Sequence, residues 1–144
     1  MDINNIFNLF LENPQNTYIS EEAKKLADMF HEHPLVKIGM FKKLIINYHT
    51  SGDKLLEFFG LTDTELNLED IRKAGRFIVY NRAWDYIKEV DFNNGDHREF
   101  FISVGNKELA LALKLSIKYF EEFEEYEKCS HLLALNNLLP GNIN

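Results

Sequence analysis

The sequence has one cysteine, three prolines and seven glycines in 144 residues. A single cysteine excludes an intramolecular disulfide framework and any multi-cysteine zinc or iron–sulfur site, and it fits a reducing compartment. Long apolar runs are also missing: the longest are a handful of residues, far below the roughly 20 that a membrane-spanning helix needs. No positively charged start leading into an apolar stretch is visible, so the expectation is a soluble cytoplasmic protein (host cytoplasm, if phage-encoded) with no membrane partner. Basic charge is in deficit, with 16 Lys and Arg against 23 Asp and Glu, for a net charge of −7. Residues 1–72 carry twelve acids against seven bases, and the second half eleven against nine. Such a balance opposes nonspecific adhesion to nucleic acid or anionic lipid, while allowing a local basic stripe.

Motifs that carry common chemistries are absent as well. There is no glycine loop to cradle phosphates, no Gly-x-Ser-x-Gly elbow and no paired metal-binding carboxylate motif. The expectation is a protein that is not an enzyme and has no cofactor.

Aromatic residues, in contrast, are plentiful: twelve Phe, six Tyr and one Trp. A chain of this length and composition buries enough apolar surface for one domain spanning 1–144. The pattern along it is helical. Asp2 caps a short first helix bearing Ile3, Ile6, Phe7 and Phe10. Ser20 with Glu21 and Glu22 starts a second, whose apolar stripe is Ala23, Leu26, Ala27 and Phe30. Pro34 stops it or opens the next, which runs through Ile38, Phe41, Leu44, Ile45 and Tyr48 to Ser51-Gly52. Asp53 then starts a short helix closed by Gly60. Thr62 to Glu65 match a capping box, and Asn67 offers a second start.

Between about Glu69 and Glu89, Ile71, Ala74, Phe77, Tyr80, Trp84 and Ile87 recur every three or four residues and predict one buried face. Gly75 inside that helix costs ~1 kcal/mol against alanine, which a kink or a close helix contact would explain. Residues 98–104 read equally as strand or helix. Asn106 caps a helix with Leu109, Leu113, Ile117, Phe120 and Phe123 facing inward, and a last helix carries Tyr126, Cys129, Leu132, Leu133, Leu135 and Leu139. The expected fold class is all-α: a single-domain bundle of about six helices ending in a helical hairpin.

The stretch 119–135 concentrates five glutamates, Cys129 and His131. On a helix, two residues apart is roughly 200°, so Cys129 and His131 cannot share a metal. Cys129 falls among apolar positions, the usual place for a free cysteine acting as a small hydrophobe. A turn near Phe123–Glu125 relieves the Glu121–Glu125 repulsion and puts Glu127 in the next first turn. His31-Glu32-His33 lacks the four-residue histidine spacing of a zincin helix. The loop beginning at Asp91 places glycine one position early for a calcium-binding EF-hand and Ile102 where Glu is required. No metal ligands are assigned, and no catalytic or cofactor-binding residues.

Two surfaces remain. Glu121, Glu122, Glu124 and Glu125 form an acidic ridge suited to a basic protein partner. Arg72, Lys73, Arg76 and Arg82, interleaved with Tyr80 and Trp84, form a basic stripe suited to phosphates and bases; its bland reading is a solvated face paired through Glu69–Lys73 and Arg82–Asp85.

Residues 124–132, Glu-Glu-Tyr-Glu-Lys-Cys-Ser-His-Leu, are similar to the UVR-type helical hairpin that ends bacterial nucleotide-excision-repair subunits and occurs in some protease adaptors. Tyr126, Glu127, Cys129, Ser130 and Leu132 match that family's aromatic-Glu-x-small-small-x-Leu core. About twenty of the 144 residues are covered, and Leu132-Leu133-Ala134 stands where the family continues with Leu-Arg-Asp. The resemblance implies a hairpin that docks onto another protein and carries no chemistry. The expected function is therefore a non-catalytic protein–protein interaction protein: adaptor, inhibitor or accessory. A nucleic-acid-associated accessory protein is the alternative. A self-associating virion or assembly component of a phage is a third reading, from composition alone: fifteen asparagines with many Ile, Lys and Phe match AT-rich codons.

Overall fold

The computed structural model describes residues 20–62 and 67–141. Among them it is all-α, with six helices and no strand. Backbone contacts divide the chain into two units, Met1–His33 and Pro34–Asn144.

In the first unit the described part is helix α1, Glu21–Glu32. The Ser20 hydroxyl oxygen accepts the Ala23 N–H at 3.1 Å, and Glu21 and Glu22 occupy the first turn. Both features relieve the uncompensated N–H groups and positive dipole of a helix start. Its expected apolar stripe is not a core: Ala23, Leu26, Ala27 and Phe30 are all exposed, and α1 buries no described residue. His33 ends it at φ −68°, ψ 133°, the extended conformation that a following proline imposes. The expected helix over residues 2–10 lies outside the described residues.

In the second unit, α2 (Pro34–Thr62) is a continuous helix of 29 residues, about 43 Å long at 1.5 Å per residue. The expected break at Ser51-Gly52 and stop at Gly60 do not occur. Thr50 returns its hydroxyl to the Ile46 carbonyl at 3.0 Å, and Gly52 packs beneath the ring of Tyr48. The glycine thus makes room for a side chain and does not end the helix. Ile38, Phe41 and Ile45, at helical spacing, are each 1% exposed and enter the core.

Helix α3 (Leu68–Ile87) starts at Asn67, whose side-chain oxygen accepts the Glu69 and Asp70 N–H groups at 2.9 and 3.4 Å. It makes the most extensive pairing of the unit, with α2. Gly75 explains part of that approach: a Cβ there would meet the Tyr48 hydroxyl at 3.1 Å. The undecided segment near 98–104 is helical, within α4 (Gly95–Ser103), capped by the Asn94 side chain and holding Phe101 in the core. Helix α5 (Lys107–Glu122) is capped by Asn106 to the Leu109 N–H at 2.8 Å, and α6 (Tyr126–Asn136) pairs with it as a hairpin.

The hairpin turn satisfies the end of α5 in a defined way. The Glu124 N–H donates to the Glu121 carbonyl at 3.0 Å, and the Glu125 N–H to the Phe120 carbonyl at 2.9 Å. Glu124 sits at φ 57°. These two bonds with a left-handed residue are the Schellman arrangement, in which glycine is the usual occupant. As expected, Glu127 falls in the first turn of α6.

The core joins Ile38, Phe41 and Ile45 to Tyr80, Ala83, Ile87, Phe101, Leu109, Leu113, Phe120, Leu132 and Leu135. Cys129 is buried, its Sγ 3.6 Å from the Ile117 carbonyl. His131 fastens α6 to the end of α3: its Nε2 lies 3.2 Å from the Ile87 carbonyl, between Trp84 and Phe92. Among the described residues no helix is long and apolar enough to cross a membrane.

Candidate functional site

The basic stripe and the acidic ridge, 46 residues apart in sequence, meet in space. Arg76 on α3 reaches Glu122 on α5, with Nη2 3.4 Å from Oε2. The Arg76 guanidinium also lies 5.2 Å from the centre of the Tyr119 ring, within cation–π range. Behind it Tyr80 stacks on Tyr119, with centroids 4.4 Å apart and planes 9° from parallel. Burial pushes both phenols above their usual pKa, with the positive charge of Arg76 opposing the shift.

The other members of the two sets are dispersed. Glu125 is half-buried and pairs with Lys128 at 3.1 Å, while Lys128 Nζ lies over the Phe120 and Trp84 rings. Glu121 and Glu124 are exposed. Among the described residues the ridge is therefore two carboxylates without an ion-pair partner and two engaged ones. On α3, Arg72 pairs with Glu69 at 3.8 Å and Asp85 with Lys88 at 3.3 Å, in place of the expected Glu69–Lys73 and Arg82–Asp85 pairs. Lys73 stands exposed beside Arg72. Arg82 is ten positions from Arg72, about 80° around the helix, and does not share their cleft.

The Arg76–Glu122 bridge separates two concavities. On one side α2, α3 and α5 flank an open cavity of about 500 Å³ of mixed polar and apolar character, lined by Tyr48, His49, Arg72, Arg76, Tyr80, Lys118 and Glu122 among others. On the other is a more apolar groove of about 630 Å³, with Phe77, Ile78, Tyr119 and Phe123 inside and Glu69, Arg72, Lys73, Arg76 and Glu122 at its rim. Phe77, Ile78 and Phe123 are 61, 64 and 58% exposed. The three- and four-residue spacing placed Phe77 and Phe123 inward, and the structure overturns both expectations. Tyr126 and Leu133, expected on the apolar face of α6, are exposed as well. Periodicity finds the stripe on a helix but not where its cover stops: every buried residue of α3 lies at Tyr80 or beyond.

Two titratable groups outside this cleft, Cys129 and His97, carry structural roles. Burial, with help from the Glu121 charge, raises the Cys129 thiol pKa above its ordinary value. That is the opposite of what a nucleophile or redox thiol needs. The His97 Nδ1 accepts the Asp91 N–H at 2.9 Å and closes the loop before α4. Among the described residues no three His, Cys, Asp or Glu side chains converge to hold a metal ion. Comparison with protein-family models, with curated proteins and with solved structures finds no match to this chain.

Proposed function

We propose that this protein acts by binding another protein, and that the binding surface is the groove between α3 and the α5–α6 turn. One observation carries the reading: three large apolar side chains, Phe77, Ile78 and Phe123, stand more than half exposed around one concavity with a charged rim. Contiguous exposed apolar surface rimmed by polar residues marks interaction sites, because water contact with it is costly until a partner covers it. Its aromatic anchors suit an amphipathic segment laid into the groove with residues at i, i+3 and i+4. Arg72 and Lys73 on the α3 rim favour acidic residues flanking that segment on one side. The similarity of residues 124–132 to UVR-type docking hairpins supports the same class of function.

The acidic ridge recedes in this proposal, since Glu122 and Glu125 are committed to Arg76 and Lys128. Nucleic-acid binding through Arg72, Lys73, Arg76 and Arg82 is the weaker reading, because Glu122 and Glu69 interrupt the basic surface. Affinity capture with nuclease treatment tests the choice. The expected result is one stoichiometric protein retained by the wild type and lost with Phe77→Asp and with Phe123→Asp. Retention that disappears with nuclease, or that both variants preserve, overturns the groove assignment.

A further inference from the structure

The cavity on the other side of Arg76 has features that the groove does not explain. Among the described residues two helices, α3 and α5, deliver three cations to it, Arg72, Arg76 and Lys118, against one carboxylate, Glu122. This local excess of about two positive charges sits in a chain whose net charge is −7. Arg72 and Arg76 are one helical turn apart, so both guanidinium groups come from one face of α3. The Arg72–Glu69 contact is 3.8 Å and largely solvent-exposed, a weak competitor for the guanidinium. Lys118 has no ion-pair partner among the described residues. The rings of Tyr48 and Tyr80 line the same space, Tyr48 held in place by its hydroxyl donating to the Arg72 carbonyl at 3.3 Å. The volume of about 500 Å³ falls in the range of small-molecule sites, roughly 300–1,000 Å³.

We propose that this cavity binds a small organic phosphate monoester, its phosphate on Arg72, Arg76 and Lys118 and its organic body against Tyr48 and Tyr80. A phosphate monoester carries about −1.5 to −2 charges near neutrality, which matches the local excess. Planar guanidinium groups donate in pairs to phosphate oxygens, and an ammonium adds a point charge from the opposite wall. Inorganic phosphate meets the cations but adds no contact to the half-buried Tyr48 ring. An uncharged aromatic covers that ring but leaves the excess positive charge uncompensated.

The test uses the full chain and phenyl phosphate as probe, titrated calorimetrically and followed by amide NMR shifts. The expected result is saturable one-to-one binding, with shifts concentrated around Tyr48, Arg72, Arg76, Tyr80 and Lys118. Lys118→Gln and Arg72→Gln, both at exposed positions, should each weaken it about tenfold. Inorganic phosphate should bind at least tenfold more weakly, and phenol should not bind. Phe77→Asp should leave phenyl phosphate binding unchanged, which keeps this result separate from the fate of the groove. Three results overturn the proposal: no saturation at millimolar probe, phenol binding equal to phenyl phosphate, or full affinity in a natively folded Arg72→Gln/Lys118→Gln double variant. Benzoate binding as tightly as phenyl phosphate overturns the assignment to phosphate.

Discussion

Tyr80 and Tyr119, contributed by helices almost forty residues apart in sequence, lie face to face at 4.4 Å, only 9° from parallel. Their stack joins α3 to α5 directly behind the Arg76–Glu122 bridge. Both phenols are raised above the ordinary 10.0 by burial. A raised acid favours folding while it is neutral, so this contribution is complete below about pH 10 and is lost as pH climbs through the folded-state values. The melting temperature should therefore fall above pH 10, and Tyr80→Phe should lessen that fall. An identical alkaline profile in Tyr80→Phe would remove Tyr80 from the account.

Phe77 should be nearly silent for stability: replacing it with serine removes a mostly exposed side chain, with an expected change within about 0.5 kcal/mol. Phe123→Ser also removes a ring contact with Tyr119 at 4.9 Å and should cost about 0.5–1.5 kcal/mol. Phe101→Ala and Phe120→Ala, at 0 and 1% exposure, should each cost about 3–5 kcal/mol. Urea denaturation of the four variants checks the contrast, and a multi-kilocalorie loss at Phe77 would place it in a core.

Glu124 occupies the left-handed region at φ 57°, where a side chain costs roughly 1–2 kcal/mol. Glu124→Gly removes that cost while adding unfolded-state entropy, for a net gain of about 0.5–1 kcal/mol. Glu124→Val should lose stability, because a β-branched residue tolerates this conformation worst. The ordering Gly above Glu above Val, measured by thermal denaturation, is the expected outcome.

The second unit should fold without the first. Every described buried residue of its core lies between Ile38 and Leu139, and α1 buries none of its described side chains. A chain of residues 34–144 is expected to keep its helical circular dichroism and a cooperative melt within a few degrees of the full chain. Loss of cooperativity would show that residues 1–33 belong to the same folding unit.

Cys129 should resist alkylation. Its thiol is buried and its pKa raised, so thiolate at neutral pH is scarce and poorly reached. Iodoacetamide should modify the native protein far more slowly than the urea-unfolded chain. Cys129→Ala should cost about 1 kcal/mol, the scale of removing one small buried group.

Much of the architecture was legible because it is written locally. Ser20, Asn67 and Asn106 each cap the helix they announce, since capping needs only a short polar side chain and the next three amides. The hairpin turn at 123–125 could be read from charge repulsion. The continuity of α2 could not, because Gly52 signals a stop in sequence and a close packing contact in space. The exposure of Phe77 and Phe123 was hidden for a related reason. Whether an apolar position is covered depends on where a helix distant in sequence ends. The meeting of Arg76 with Glu122 has no local signal at all, and it rearranged both sets of candidate residues.

The seat of Tyr48 fixes more than a distance. Its ring is bounded by Gly52 on its own helix and by Gly75 on α3, where an added Cβ would come within 3.4 and 3.1 Å. Sliding α3 along α2 by one turn, about 5.4 Å, would bring Ile71 or Val79 toward the ring in place of the glycine. Two long helices with apolar stripes have several near-equivalent axial alignments; a ring that fits beside only one backbone position selects among them. The glycine pair therefore acts as an index mark, giving the α2–α3 pairing a single native alignment more than it adds stability.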